Sequence, residues 1–319
     1  MCLPLEVIVN RVCPEAEDIL SFELVNANTT PLTRFTAGAH IDVQVPGGPV
    51  RQYSLCNSEQ EAHRYVIAVL KDPSSRGGSR GMHELTSGAR LRISDPKNHF
   101  PLVEQAEQSL LLAGGIGITP ILCMAERLLA TNASFALHYC TRSKQRTAFR
   151  TRIEGSPLVE RTTFYFDDDA DRRRPDIARL LGDAAPSTHL YVCGPRAFME
   201  AVLSSARALG WAEDRIHTEF FAGSVDPSDA GEAFVLKLHK SNMTVNVDNG
   251  QTAVHALAAA GVSVPTSCEQ GVCGTCLTRV LEGVPDHRDS YLTMDEREAN
   301  DQFLPCCSRA RTPMLVLDL

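Results

Sequence analysis

Long apolar runs are missing from this 319-residue chain. The longest nearly apolar stretch, "LLLAGGIGITPILCMA" (110–125), has 16 residues broken by three glycines and a proline. It is too short and too interrupted to cross a bilayer. No early segment joins a basic start to an apolar core and a small-residue cleavage site, so no export signal is expected. Positive charge is also in deficit: 31 Lys and Arg face 39 Asp and Glu, a net charge of −8. That balance argues against nucleic acid, whose phosphate backbone rewards clustered bases. Internal repeats and low-complexity tracts are absent. The ten histidines yield no convincing His/Asp/Ser catalytic set, and His40, His83 and His99 read as loop or structural residues. What remains is a soluble, cytoplasmic globular protein, expected to be a monomer and to touch neither membrane nor nucleic acid.

Cysteine, by contrast, is plentiful. Eleven would suggest disulfides in a small secreted domain, but this chain is neither small nor marked for secretion. Six are scattered over residues 1–193, whereas five fall within 268–307. In "TSCEQGVCGTCLTRV" (266–280), Cys268, Cys273 and Cys276 are spaced C-x4-C-x2-C, and Cys306 follows after 29 intervening residues. This is the plant-type spacing of a two-iron, two-sulfur (2Fe-2S) cluster, which needs four converging thiolates. Gly271 and Gly274 let the backbone wrap closely and offer N–H groups to sulfur. Zinc is the rival, although structural zinc sites usually present two short Cys pairs; plain structural cysteines are the other alternative. Cys307 adjoins Cys306, and neighbouring side chains rarely point at one site, so Cys306 is the expected ligand and Cys307 a buried neighbour.

One linker stands out, "GSVDPSDAGE" (223–232), rich in Gly, Ser, Pro and Asp. A softer boundary lies near 104–105, where the polar "LVEQAEQ" precedes "SLLLAGG". The expected domains are therefore 1–104, 105–222 and 233–319. The first alternates apolar and polar residues in short runs such as "HIDVQV", "RYVIAVL" and "ARLRIS", the pattern of an antiparallel β barrel or sandwich. The second alternates apolar strands ("SLLLAGG", "SFALHYC", "HLYVCG") with helical stretches ("ITPILCMAERLLA", "RAFMEAVLSSARALG"), which implies a parallel α/β sheet covered on both faces. The third opens with β patterning, "FVLKLHKSNMTVNV", then a helix, "TAVHALAAAG", ending at Gly261.

Three further motifs are weak singly. In "LLLAGGIGITP" (110–120), Gly114, Gly115 and Gly117 would let a backbone approach a pyrophosphate, with Thr119 capping the helix and Pro120 in its first turn. The stretch is not the G-x-G-x-x-G fingerprint, and a tight α/β turn explains it equally. "YVCGPRAF" places Cys193, Gly194 and Pro195 between a strand and a helix, which ordinary turns also do. "RQYSLCN" (51–57) and "KDPSSRGGSRGMHE" (71–84) offer an Arg, a ring, a hydroxyl and a nest of N–H groups that could grip a flavin and its phosphate. A plain strand and loop is the competing view.

The order of these motifs carries more than any one of them. Arg-x-Tyr-Ser, then Gly-Gly-x-Gly-x-Thr-Pro, then Cys-Gly-Pro resembles the ferredoxin–NADP reductase superfamily, and the C-terminal cysteine set extends the likeness over essentially the whole chain to the phthalate dioxygenase reductase and vanillate demethylase reductase family. The resemblance implies FMN in the β barrel, NADH in the α/β domain and a 2Fe-2S cluster in a β-grasp ferredoxin domain. It implies that Arg51, Tyr53 and Ser54 contact FMN, with Ser54 near flavin N5, and that Arg76, Gly77, Gly78 and Ser79 hold its phosphate. Gly115, Gly117, Thr119 and Cys193 would line the nicotinamide site. In "TEFFAG", Phe221 would lie near the flavin, Phe220 being the less favoured position. The implied activity is electron transfer from NADH through FMN and the cluster to a Rieske-type non-haem iron oxygenase acting on an aromatic compound. A haem monooxygenase or another acceptor is the alternative partner, and a redox-sensing module leaves two domains unused.

Two acidic stretches add less. "FDDDADRRRPD" (166–176) could repel a 2′-phosphate and so favour NADH, but a solvated loop explains it too, and the bases of "CTRSKQR" (140–146) pull the other way. "DHRDSYLTMDEREAND" (286–301) holds six acids against two bases. Thr293 and Glu296 form a capping box there, so part of the stretch is an exposed helix that could also steer a basic partner.

Overall fold

The computed structural model describes residues 3–28, 30–73, 75, 77–169, 174–221, 231–266, 271, 274–289 and 291–319. The chain divides into two compact units, Cys2–Phe221 and Ala222–Leu319.

The first unit opens with β1 (Leu5–Ala16), β2 (Ile19–Asn26), β3 (His40–Gln44), β4 (Val50–Ser54), β5 (Tyr65–Leu70), α1 (Gly78–His83) and β6 (Arg90–Ile93). The strands form one antiparallel sheet in the order β4-β3-β6-β1-β2-β5. A bridge between Leu55 and Ile67 brings the two edges together, so the sheet closes into a barrel. Alternation does the sorting: Val7, Val9, Phe22, Leu24, Ile41, Val43 and Ile67 fill the interior.

A parallel sheet follows. Its elements are β7 (Gln108–Gly114), α2 (Ile118–Ala130), β8 (Ser134–Thr141), α3 (Arg150–Glu154), β9 (Thr162–Phe166), α4 (Ile177–Gly182), β10 (Thr188–Gly194), α5 (Arg196–Ala208) and β11 (Ile216–Phe220). The strand order is β11-β10-β7-β8-β9, all parallel. The direction of winding reverses between β7 and β10, which puts the topological switch point at the carboxyl ends of those two strands, Gly114 and Gly194. Barrel and sheet share one continuous apolar core, from Val7 to Tyr139 and Cys193. Arg127 on α2 pairs with Glu59 at 3.0 Å, and Arg152 on α3 donates to the Cys56 carbonyl at 3.1 Å, so basic side chains of the sheet domain seal the seam.

Helix α2 shows one departure from the sequence reading. Thr119 does not cap it. The Gly115–Gly117 turn runs straight into the helix, Gly117 occupies the N-cap without a side chain, and the Thr119 hydroxyl donates instead to the Ile116 carbonyl at 3.0 Å. Pro120 then falls at the third helical position.

The second unit contains β12 (Phe234–Leu238), β13 (Met243–Val247), α6 (Ala253–Ala259), β14 (Thr278–Glu282), β15 (Pro285–Asp286), α7 (Met294–Ala299), β16 (Gln302–Phe303), β17 (Arg309–Ala310) and β18 (Met314–Leu317). The mixed sheet β13-β12-β18-β14-β16 packs α6 against its apolar face through Ala253, Ala256 and Leu257. Thr252 caps α6 by accepting from the His255 amide, and Gly261 leaves the helix at φ +82°. On α7 the capping box is complete: the Glu296 amide donates to the Thr293 hydroxyl and the Thr293 amide to the Glu296 carboxylate. Among the described residues, no helix is long and apolar enough to cross a membrane.

Candidate functional site

The carboxyl ends of β7 and β10 approach so closely that side chains are excluded. A Cβ on Gly194 would fall 2.9 Å from the Gly114 Cα, and one on Gly117 would fall 2.3 Å from the Cys193 carbonyl oxygen. Gly117 is therefore required by strand–turn packing. Gly115 differs, since it adopts φ +53° with no atom within 4 Å of where a Cβ would sit. That exposes its backbone to whatever occupies the crevice.

Cys193, the last residue but one of β10, is fully buried and stands in register with Glu219 on β11. Adjacent residues of neighbouring strands share a face, so the thiol and the carboxyl point to the same side. The Ser54 hydroxyl, from the end of barrel strand β4, donates to Glu219 Oε2 at 2.9 Å. Burial pushes the Glu219 carboxyl up to about 7, against the Ser54 hydrogen bond, which favours the charged form. Burial, and then the Glu219 charge, holds the Cys193 thiol well above its ordinary value. Ser54 and Cys193, expected from the sequence, thus meet at a residue the sequence reading missed. Its only local signal is an acid between the polar and aromatic ends of "HTEFF".

On the barrel side, Arg51 and Tyr53 lie on β4 with Ser54, both half-buried. Burial raises the Tyr53 phenol, and Arg51 opposes the rise. The glycine-rich loop folds against this strand: Gly77 takes φ +97°, and a Cβ on Gly78 would meet Arg51 Cγ at 3.0 Å and Nε at 3.2 Å. Ser79 accepts from the Asp72 amide at 3.0 Å, leaving its hydroxyl proton available. Arg51, Gly77, Gly78 and Ser79 therefore sit together; Arg76 lies outside the described residues. Thr119 is buried beside the crevice. Phe221 packs partly against the shared core, and its neighbour Phe220 against the opposite face of the parallel sheet. At the far ends of β8 and β9, the acidic and basic stretches meet through backbone bonds from Asp167 to Thr141 and from Asp168 to Arg142.

In the second unit, Cys276, Cys306 and Cys307 are buried in one small cluster with Val254, Leu292 and Leu304. Cys268 and Cys273 lie outside the described residues, as do residues 223–230 of the expected linker. Gly271 takes φ +76° and Gly274 φ +70°. The Cys307 sulfur occupies the space of a Gly271 side chain, 2.3 Å from its would-be Cβ, and rests against the Leu304 carbonyl at 3.8 Å and the Ser308 hydroxyl at 3.7 Å.

Residues 236–311 match the 2Fe-2S iron–sulfur cluster binding domain family, and residues 94–216 match the N-terminal domain of the DmmA-like dimethylamine monooxygenase subunit. Vanillate O-demethylase oxidoreductase of Pseudomonas putida is 53% identical over 315 residues, covering 98% of this chain and 99% of its own length. The solved structure of phthalate dioxygenase reductase, described as a modular structure for electron transfer from pyridine nucleotides to [2Fe-2S], superposes with a TM-score of 0.81 at 37% identity over 99% of this chain and 98% of its own. An intact type IV self-sufficient cytochrome P450 monooxygenase matches 99% of this chain with 41% of its length, at 37% identity and a TM-score of 0.77.

Proposed function

The chain belongs to the family that contains the vanillate O-demethylase oxidoreductases and phthalate dioxygenase reductase, and on that premise we propose that it is the reductase component of a two-component aromatic-ring oxygenase. Electrons enter from NADH, pass FMN and a 2Fe-2S cluster, and leave for a Rieske-type oxygenase in the cytoplasm. The observation that carries this reading is the Ser54–Glu219 hydrogen bond, which ties the barrel wall to the carboxyl end of the nucleotide sheet beside Cys193. A flavin on β4 and a pyridine ring at the switch point would meet there.

We assign FMN to residues 1–104, NADH to 105–222 and the cluster to 233–319. Arg51, Tyr53 and Ser54 hold the flavin, and Arg76, Gly77, Gly78 and Ser79 its phosphate. The packing of Gly78 on Arg51 supports this, because it places a guanidinium and loop N–H groups together. Gly115, Gly117, Thr119 and Cys193 line the nicotinamide crevice, and Phe221 flanks the flavin. Cys268, Cys273, Cys276 and Cys306 are the cluster ligands. Burial of Cys276 and Cys306 in one pocket fits a group that thiolates must hold, and the seating of Cys307 against Gly271 fits a packing role.

The bound groups supply the redox chemistry, taking electrons in a pair and releasing them singly. The chain's own contribution is placement and electrostatics. Ser54 presents a hydroxyl whose proton is directed by Glu219, and Glu219 can be charged or neutral near pH 7. Cys193 stays a neutral thiol, a small packing surface for the nicotinamide face. The glycines at the strand ends let the two backbones come within van der Waals reach of each other.

The match to a self-sufficient cytochrome P450 supports a second reading, a haem monooxygenase as acceptor. Assays of the purified reductase with a Rieske-type oxygenase of an aromatic carboxylate and with a P450 separate the two. The account expects NADH-dependent turnover with the first, and turnover with the P450 alone overturns the partner assignment.

A further inference from the structure

His287 is buried, its side chain 8% exposed, and among the described residues neither ring nitrogen has a hydrogen-bond partner. A buried polar group of this kind ordinarily finds a partner. The ring lies near two acceptors. Nδ1 is 3.7 Å from Asp289 Oδ1, and the backbone of Arg297 on α7 is also close enough to raise the proton affinity of the ring. A neutral imidazole has one N–H and can serve only one of them, whereas an imidazolium has two.

Asp289 connects this ring to the cysteine loop. Its side chain is fully buried and accepts from the Tyr291 amide at 3.2 Å, the Leu292 amide at 2.9 Å and the Ser308 hydroxyl at 3.2 Å. Ser308 follows Cys306 by two positions. The Asp289 Cα lies 2.9 Å from where a Gly271 side chain would begin, and the Tyr291 ring covers Gly274, 2.2 Å from its would-be Cβ. Asp289 therefore packs its backbone against Gly271 while its carboxylate holds the amide of Tyr291, whose ring covers Gly274, and the hydroxyl after the fourth cysteine; the same carboxylate is the anion paired with His287.

We propose that His287 is a redox-linked proton acceptor, coupled through Asp289 to the cluster loop, so that reducing the cluster raises the proton affinity of its ring. The inference rests on a 2Fe-2S cluster at Cys268, Cys273, Cys276 and Cys306. One electron arrives from the flavin and one proton from solvent; no other bond forms or breaks. The added negative charge favours the imidazolium, which can then donate to both Asp289 and the Arg297 carbonyl. An effect on the order of tenfold in proton affinity is expected for charges interacting through partly screened protein.

Other charges set where the ring titrates. Burial holds its proton affinity down and the Arg297 guanidinium works the same way, while Asp289 and the Arg297 carbonyl pull it up. The four thiolates fill the ligand set of the cluster, so the role of His287 is to compensate charge.

The test is a spectroelectrochemical titration of the holoprotein across a pH series from acid to neutral. The cluster potential should fall with rising pH through a window set by His287 and level off on both sides, while His287→Gln and His287→Phe should give a flat profile with the cluster absorbance intact. A flat profile in the native protein, or an unchanged slope in either variant, overturns the proposal, and so does loss of the cluster from both variants, which would assign the ring a purely structural part. A protein that lacks iron and sulfide altogether would instead refute the cluster assignment.

Discussion

Ser54 and Glu219, 165 residues apart in sequence, are joined by a 2.9 Å hydrogen bond that crosses from the barrel to the last strand of the parallel sheet. It places a half-buried glutamate beside Cys193 at the switch point of the nucleotide sheet.

Glu219 should make the flavin-free protein less stable as pH rises. Its folded value, about 7, exceeds the ordinary 4.5, so the folded chain binds more protons than the unfolded one between those values. Stability is fully present below about 4.5 and is lost as pH climbs through 7, by up to about 3 kcal/mol. Urea unfolding at pH 5 and pH 8 should show this loss in the native protein and its absence in Glu219→Gln.

Ser54→Ala removes the donor that orients Glu219. NADH-dependent flavin reduction should slow by roughly 10²-fold, the usual cost of deleting one preorganised donor at a reacting centre. Cluster content, measured by iron and sulfide, should not change.

Gly117→Ala and Gly115→Ala should differ in kind. The first drives a methyl to 2.3 Å from the Cys193 carbonyl, so unfolding should show a loss of about 1–3 kcal/mol. The second meets open space at φ +53° and should cost about 1 kcal/mol while weakening NADH binding more than stability. Denaturation and nucleotide titration on the same samples compare the two effects.

Cys306→Ser should abolish the cluster and leave flavin reduction by NADH intact, whereas Cys307→Ser should retain it, since the Cys307 sulfur is packed against Gly271. Visible absorbance and electron paramagnetic resonance distinguish the outcomes.

Much of the architecture was legible from patterning. Short alternating runs such as "HIDVQV" became barrel strands, and strand–helix alternation became the parallel sheet. Local chemistry was legible where one segment contains all its parts, as in the Thr293–Glu296 capping box. It failed at α2, where the turn of Gly115–Gly117 moved the helix start upstream of Thr119. It also failed for contacts made only by folding. Glu219 acquires its environment from Cys193 on a neighbouring strand and from Ser54 on the barrel, and nothing adjacent to it in sequence reports either. The same holds for His287, which read as one residue of an acidic surface stretch yet is buried against Asp289.

The order of electron flow is the central claim, and anaerobic stopped-flow mixing of the holoprotein with NADH tests it most directly. Flavin bleaching should come first, followed by reduction of the cluster, and Cys306→Ser should stop after the first phase. Reduction of the cluster at an undiminished rate in flavin-free protein, or a flavin that bleaches while an intact cluster stays oxidised, would contradict the account.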